Sequence, residues 1–436
     1  MKLKYFKNIF IVTIILLILA GIYIIYIKRG PAKNNLETQG KETNVIKEFS
    51  IGVTDFDTIN PILSKNLEIQ YLNKLIYEPL VNITRDFNVE PSIAEEWSKI
   101  DDVTYIIKLD EGKTWENGRR VQVEDVENTI EVIKKENTIY KENVQKIEQI
   151  EKIDETTMKI YLTEPVNFFE YFLCFPITIE SSDNKIIVKL FKNSTELYNN
   201  FTRENVDIII TKNPNYENYI GNIGFEETII PGRTFYYILL ENISDVNMRK
   251  WLDMATNKEK LIYNLYNKKY IPANTPLAYG SYLNLSNEKQ QEKDQELFTQ
   301  KKMNLTISVK NEDKIIAEKM QEQLKEYGIN LRIQTYQNSK ADLILKKQTT
   351  TITPDISQYF SEEKMKKQIK QANEIENKQI LKQKYQQILN EYKEQMPFIS
   401  LFFDSYIILH NNKLKGDFSG NWYNIFYNVD GWYKSI

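Results

Sequence analysis

One stretch of this sequence is apolar over the length of a bilayer, and it sets apart everything that follows. Ile9 to Ile27 reads IFIVTIILLILAGIYIIYI, with Lys2, Lys4 and Lys7 before it and Lys28 and Arg29 after it. As a helix rising about 1.5 Å per residue, the run spans roughly 29 Å, close to a hydrocarbon core. A cleaved signal peptide has a shorter apolar region ending at a small-residue site. Here Ala20 and Gly21 are followed by further apolar residues. Residues 1–29 are therefore expected to form one uncleaved transmembrane signal anchor. The basic start keeps the N-terminus in the cytoplasm and puts the soluble part on the extracytoplasmic side of the cell membrane. Residues 30–46 are polar and aperiodic and read as a tether.

What remains must fold without covalent or metal staples. The 436 residues contain one Cys (Cys174) and one His (His410), which excludes internal disulfides, multi-cysteine zinc sites and multi-histidine metal sites. The 57 basic and 60 acidic side chains nearly balance, so no overall basic footprint for nucleic acid exists. Hydrophobic residues at 42% supply enough apolar surface for two or three packed lobes.

Apolar spacing then alternates between the periods of strands and helices. Strands are expected at 47–53, 104–109, 157–162, 186–191, 206–210, 305–309, 331–336 and 342–345, and a long one at 398–409. Helices are expected at 68–80, 123–134 and 313–327, with one or two more over 362–393. Gly328 stands where a helix C′ residue belongs, and the β-α-β spacing around it predicts a right-handed crossover between parallel strands. Ser286 to Lys302 is charged and reads as a surface loop, and no internal repeat is apparent.

Single candidate sites are weak. Glu124 and Asp125 stand where a helix begins, where acidic residues favour the positive end of the dipole. Asp404, Ser405 and His410 include the residue types of a triad, but adjacent strand residues point to opposite faces, and no glycine-flanked nucleophile turn is present. Cys174 lies in the apolar FLCFP. Neither GxGxxG nor GxxxxGK[ST] occurs. An enzyme is not expected, and no cofactor or metal site is signalled.

The order of segments says more. INPIL (Ile59 to Leu63), LIYEPLV (Leu75 to Val81), VEPSIAEEW (Val89 to Trp97) and DDVTYIIKLDEGKTWENGRRVQVEDV (Asp101 to Val126) are followed by GRTFYYILLEN (Gly232 to Asn242) and DVNMRKWLDMATNKEKLI (Asp245 to Ile262). EYGINLRI (Glu326 to Ile333) and QMPFISLFF (Gln395 to Phe403) complete the series. In this order they resemble the extracytoplasmic solute-binding proteins of family 5, the oligopeptide, dipeptide and nickel binders of ABC importers. The segment with Trp115, Gly118, Glu124, Asp125 and Val126 is the most specific part of the match.

The resemblance implies an α/β, periplasmic-binding-protein-like fold (type II, cluster C). Two large lobes are joined by two crossover strands, beside a smaller third lobe. Lobe I is expected from 47–81, 171–240 and 405–436, small lobe II from 82–170, and lobe III from 241–404. The implied function is capture of an oligopeptide or similar small solute in an interlobe cleft, and delivery to an ABC import permease, by a monomer. Two alternatives are a non-transporting surface sensor or interaction module and a nickel or metal-chelate binder. The implied ligand-binding residues are Leu63, Ser64 and Lys65 after the NP turn, Tyr236 and Tyr237 on a crossover strand, Phe402 opposite, and Thr349 and Thr350 from lobe III. The family's GTGPY segment is missing between FPITIE and NKIIVKLF. Thr349, Thr350 or Thr351 stands where peptide binders place an Asp for the ligand's amino group.

Overall fold

The computed structural model describes residues 48–435, apart from 55–56, 59, 116, 137, 180–184, 222, 280, 282, 284–301, 336–340 and 354. The expected anchor and tether, and nearly all of the charged segment 286–302, lie outside the described residues. Among the described residues no helix is long and apolar enough to cross a membrane.

In chain order the strands are β1 (Glu48–Val53), β2 (Tyr77–Pro79), β3 (Val81–Ile83), β4 (Val89–Pro91), β5 (Ala94–Asp101), β6 (Thr104–Leu109), β7 (Ile147–Lys152), β8 (Thr157–Leu162) and β9 (Pro176–Ile179). There follow β10 (Lys185–Leu190), β11 (Ile208–Thr211), β12 (Phe225–Leu240), β13 (Ile271–Pro272), β14 (Met303–Val309) and β15 (Ile329–Thr335). Last come β16 (Leu343–Thr349), β17 (Phe398–Asn411), β18 (Leu414–Lys415) and β19 (Tyr433–Lys434).

One nine-stranded sheet, ordered β10-β1-β11-β17-β12-β16-β14-β15 with β13 also on β17, runs through the protein. At one end β1 is parallel to β10 and β11; at the other β14 is parallel to β15 and β16. The long antiparallel strands β12 and β17 join the two parallel ends. All 14 residues of β17 are buried, because its two faces meet different layers. Tyr406 and Ile408 enter the core shared with the small sheet, whereas Ile407 and Leu409 pack on Leu197, Tyr198 and Phe201. At the other end Phe398, Leu401 and Phe403 lie in a second core with Leu305, Ile307, Leu345 and the helix Lys378–Gln395.

The two ends share a polar staple. The Ser50 N–H and hydroxyl both donate to Asp207 Oδ2 at 2.8 Å, and the Asp207 N–H returns to Ser50 Oγ at 3.2 Å. The Thr306 N–H and hydroxyl likewise donate to Asp342 Oδ2 at 2.8 Å, and the Asp342 N–H returns to Thr306 Oγ1 at 3.0 Å. Each Asp stands just before the strand that pairs with the central one. One three-stranded parallel arrangement thus occurs twice, each time with a hydroxyl–aspartate exchange and without sequence similarity.

A four-stranded antiparallel sheet, β5-β6-β8-β7, makes a separate layer. Tyr105, Ile107, Leu109, Met158, Ile160 and Leu162 alternate inward from β6 and β8, against Val123, Val126, Ile130 and Ile133 of the helix Val123–Lys135. That helix begins with Asp125 Oδ2 accepting from the Gln122 N–H and the Trp115 indole, both at 2.9 Å, while Arg119 pairs with Oδ1 at 2.6 Å. The acidic pair is thus occupied in starting a helix.

One helix is shorter than its spacing predicts. The expected helix at 68–80 is Leu67–Asn73, and Tyr77–Pro79 is a strand paired with β9. The N–H groups of Lys74, Leu75 and Ile76 reach back only three residues, to Tyr71, Leu72 and Asn73 at 2.9–3.1 Å. This tighter last turn ends the helix before Pro79, which has no N–H to continue it. The region 362–393 resolves into two helices, Glu363–Asn373 and Lys378–Gln395, with Ile380 exposed rather than on the buried stripe.

Where β12 and β17 pass from one end of the sheet to the other, their register breaks between Pro231 and Phe235. Asp404 fills the break: Oδ1 accepts from the Thr234 N–H and Oδ2 from Lys212 Nζ, both at 2.8 Å. A Cβ on Gly232 would lie 2.1 Å from Asp404 Oδ1 and 2.9 Å from its carbonyl oxygen, so glycine is required there.

Two outcomes follow. Gly232→Ala forces Asp404 from its place and costs about 1–3 kcal/mol in a urea melt. Asp207 also accepts from Asn411 Nδ2 and pairs with Lys434 Nζ, each at 2.8 Å. Burial pushes its carboxyl up, but Lys434, Ser50 and Asn411 outweigh burial and hold it below the ordinary 3.8. A carboxyl so lowered stabilises the fold above its ordinary value, and that contribution is lost as pH falls through the folded value. Asp207→Asn therefore costs about 2–3 kcal/mol at neutral pH. In urea melts the gap from wild type narrows below about pH 4.

Candidate functional site

The break in β12 and β17 sets residues from four distant parts of the chain side by side. Lys212, just past β11, holds Asp404 and lies 4.4 Å from the centre of the Tyr406 ring, which meets Tyr71 edge-on at 5.3 Å. Burial alone would lower the Lys212 ammonium, but Asp404 and Tyr406 raise it above the ordinary value. The Asp404 carboxylate is satisfied by Lys212 and by the Thr234 N–H.

One residue beyond Gly232, Arg233 faces a second group. Its guanidinium carbon lies 4.7 Å from the centre of the Trp422 ring, and Trp422 stacks on Tyr423 with centroids 3.7 Å apart. Arg233 Nη2 donates to the carbonyl of Thr350 and lies 3.6 Å from Glu142 Oε2. In return the Thr350 N–H donates to the Arg233 carbonyl at 2.8 Å. Glu142 Oε1 accepts from the Ile352 N–H at 2.9 Å, and the Tyr423 hydroxyl donates to the Ile352 carbonyl. Lys74 Nζ donates to the Tyr423 carbonyl, and burial pushes its ammonium down to about 8. The segment after β16 is thus held between Glu142, Arg233 and the C-terminal aromatic residues.

Several polar atoms here have no hydrogen-bond partner. Arg233 Nε, Trp422 Nε1 and Thr350 Oγ1 are buried and unbonded. Buried polar groups in native proteins are nearly always paired, so these three are open to a further partner.

The residues singled out from sequence fall into three groupings. At the NP turn, Leu63 is 40% exposed, but the backbone donors expected to meet a ligand are engaged within the turn. The Leu63 and Ser64 N–H groups donate to the Asn60 carbonyl, and the Lys65 N–H donates to Asp57 Oδ2 at 2.5 Å. The Ser64 hydroxyl donates to Asp57 Oδ1 at 2.8 Å. On β12, Tyr237 turns into the second core against Phe235, with centroids 5.2 Å apart. Tyr236 faces the other way and packs on Phe402 at 4.7 Å, with Tyr266 and Tyr270 also on the Phe402 ring. Burial raises the Tyr236 phenol well above its ordinary value, so it stays neutral. Thr349 is exposed opposite Thr234, whereas Thr350 is 5% exposed and joins the Arg233 group.

Arg233, Lys74, Glu142, Trp422 and Tyr423 were not visible as site residues. The available signal was a lone arginine directly after a glycine and before an apolar strand, and a C-terminal stretch dense in aromatic residues. The triad residues do not act together. Asp404 holds Lys212, Ser405 Oγ has no partner, and His410 stacks on Phe418 at 3.8 Å. The Cys174 thiol donates to the Tyr171 carbonyl at 3.1 Å and burial pushes it up, away from reactivity. Among the described residues no group of three or more His, Cys, Asp or Glu side chains could hold a metal ion.

Known proteins share this sequence pattern and fold. The family model "Bacterial extracellular solute-binding proteins, family 5 Middle" matches residues 88–185 and 182–361, more than half of the chain. The glutathione-binding protein GsiB of Escherichia coli O1:K1 / APEC is 29% identical over 136 residues, covering 30% of this chain and 27% of GsiB. That match spans about a quarter of the length of the curated relative. The ABC transporter substrate-binding protein CtaP from Listeria monocytogenes superposes with a TM-score of 0.70 at 17% identity, over 90% of this chain and 100% of that one. The oligopeptide-binding protein AppA from Bacillus subtilis, in complex with a nonapeptide, gives a TM-score of 0.60 at 15% identity, over 89% and 99% of the two chains. These likenesses confirm the expected mixed α/β, periplasmic-binding-protein-like fold. On the extent of the family match, the chain belongs to the bacterial extracellular solute-binding proteins, family 5.

Proposed function

We propose that this protein captures a small peptide beside the register break of β12 and β17, and delivers it to an ABC import permease. Family membership supports the solute-binding class. The observation that carries the choice of ligand is the cluster of unbonded buried atoms on Arg233, Thr350 and Trp422, beside the aromatic faces of Trp422 and Tyr423. Peptides match such a lining, because they offer carbonyl and carboxylate acceptors, amide donors and apolar side chains in one molecule. The relatives named above as glutathione- and oligopeptide-binding are consistent with that class. In this reading the apolar run Ile9 to Ile27 anchors the chain in the cell membrane, the remainder works on the extracytoplasmic side, and the protein acts as a monomer.

No carboxylate stands among Thr349, Thr350 and Thr351, so charge pairing with a ligand's free amino group is not the main source of affinity.

The test is a thermal melt of the full-length chain in mild detergent, washed in denaturant and refolded to remove carried solute. A ligand that binds only the folded state raises the melting temperature by mass action. A mixture of tri- to hexapeptides is expected to give a saturable rise, reduced in Thr350→Ala and less affected by Tyr236→Ala. A well-folded protein with no rise at millimolar peptide would sink the proposal.

A further inference from the structure

A second place in the molecule gathers polar side chains, and none of them takes part in the Arg233 group. The 3₁₀ turn Tyr216–Asn218, after β11, and the end of the helix Lys258–Tyr266 border an open notch of about 360 Å³. Asn215, Glu217 and Asn218 line it from the turn, and Tyr263, Asn264 and Asn267 from the helix end. The two walls are tied together. Asn267 Nδ2 donates to Glu217 Oε2 at 2.6 Å, and Asn215 Nδ2 donates to the Leu265 carbonyl at 3.4 Å. Asn267 (φ 46°) and Lys268 (φ 63°) are left-handed, a conformation that asparagine tolerates best among residues with a side chain. That turn ends the helix, brings Asn267 to Glu217 and carries the chain on to Lys269. The Lys269 ammonium donates to both oxygens of Glu227, at 2.5 and 2.6 Å. The notch therefore has a held shape.

The polar groups that these ties leave over point to the ligand. Among the described residues, the Asn218 and Asn264 amides and the Tyr263 hydroxyl make no hydrogen bond to protein. All three side chains are exposed, so water serves them, and a ligand that displaces this water must restore its hydrogen bonds. An amide offers a donor and an acceptor side by side, and two adjacent hydroxyls offer the same pair in return. Glu217 is the one ionised side chain of the six, and Lys269 Nζ lies 3.4 Å from its Oε1. A single carboxylate so paired is too little for a divalent cation, which takes several oxygen ligands. It also disfavours an anion. Tyr263, 56% exposed with Lys268 Nζ 5.3 Å from the ring centre, adds apolar ring surface. We propose that the notch binds a neutral carbohydrate of one or two rings, with adjacent hydroxyls on the Asn218 and Asn264 amides and a C–H face against Tyr263. Its volume falls within the range of small-molecule sites, about 300–1,000 Å³. This goes beyond the peptide reading and does not rest on it.

The experiment is saturation-transfer NMR on the full-length chain, in a detergent without a sugar headgroup. The probes are glucose, maltose, N-acetylglucosamine and its β-1,4-linked disaccharide. The expected result is transfer to at least one probe with a dissociation constant in the millimolar range. Asn218→Ala combined with Asn264→Ala should weaken it about tenfold or more. Both side chains are exposed and unbonded, so the melting temperature and its rise with peptide should match wild type. Tyr263→Phe keeps the ring and should cost less than Tyr263→Ala. Stronger transfer to the disaccharides assigns the end of a sugar chain, and equal transfer assigns a free sugar; either supports the proposal. Transfer that survives the double substitution places the sugar elsewhere and overturns it. Transfer abolished by the tri- to hexapeptide mixture puts the sugar in the peptide position and overturns it as well. No transfer to any probe removes the carbohydrate site and leaves peptide binding to be judged by its own melts.

Discussion

The antiparallel pairing of β12 with β17 is the contact on which the rest of this structure depends. Both ends of the main sheet are parallel, and among the described residues no other strand pairing in that sheet joins them. Two strands of 16 and 14 residues are long enough to belong to both ends, and both faces of β17 are covered. A strand buried on both faces gains hydrophobic stabilisation from two layers, which favours one register. The register is nevertheless broken where the ends meet, and Gly232, Asp404 and Lys212 fill the break with bonded groups. The Arg233 group lies directly beside that break. The irregularity that lets two halves share a sheet is therefore also what aims a charged side chain away from it.

At either end the same polar device fixes strand pairing. A hydroxyl residue on the central strand and an aspartate at the start of its neighbour exchange three hydrogen bonds, Ser50 with Asp207 and Thr306 with Asp342. Parallel strands have no tight turn to set their register, and these bonds supply a fixed point. The chain between partners differs greatly in length, since the small sheet β5-β6-β8-β7 falls between β1 and β11 but nothing comparable separates β14 and β16. That difference conceals the repeat from any reading along the chain.

Much of the fold was legible because burial imposes a period on the sequence. β6, β8, β14 and the helices Val123–Lys135 and Lys314–Glu326 lie within a residue or two of their expected bounds, each with one face in a core. β5 was missed because, at the edge of its sheet, it exposes most of its side chains and reads AEEWSKID. The helix expected at 68–80 was read too long because apolar spacing carried on through Leu75 and Ile76 after the hydrogen-bond pattern had already tightened. The site was less legible than the fold. Tyr236, Tyr237 and Phe402 stood out as aromatic residues, yet Tyr237 belongs to a core and Tyr236 packs on Phe402.

The sequence by itself determined the class of this protein: the order of family segments, the alternation of helices and strands, and a core built with one cysteine and one histidine. Those properties are written in local spacing, which survives reading one window at a time. Only the tertiary structure decided which polar groups are left without partners. Arg233, Thr350, Trp422 and Glu142 are ordinary residues in their own segments, separated by as many as 280 positions, and none has a motif. Whether a donor is satisfied depends on what lies around it in space, and burial by distant segments is what makes an unbonded N–H costly enough to signify a ligand.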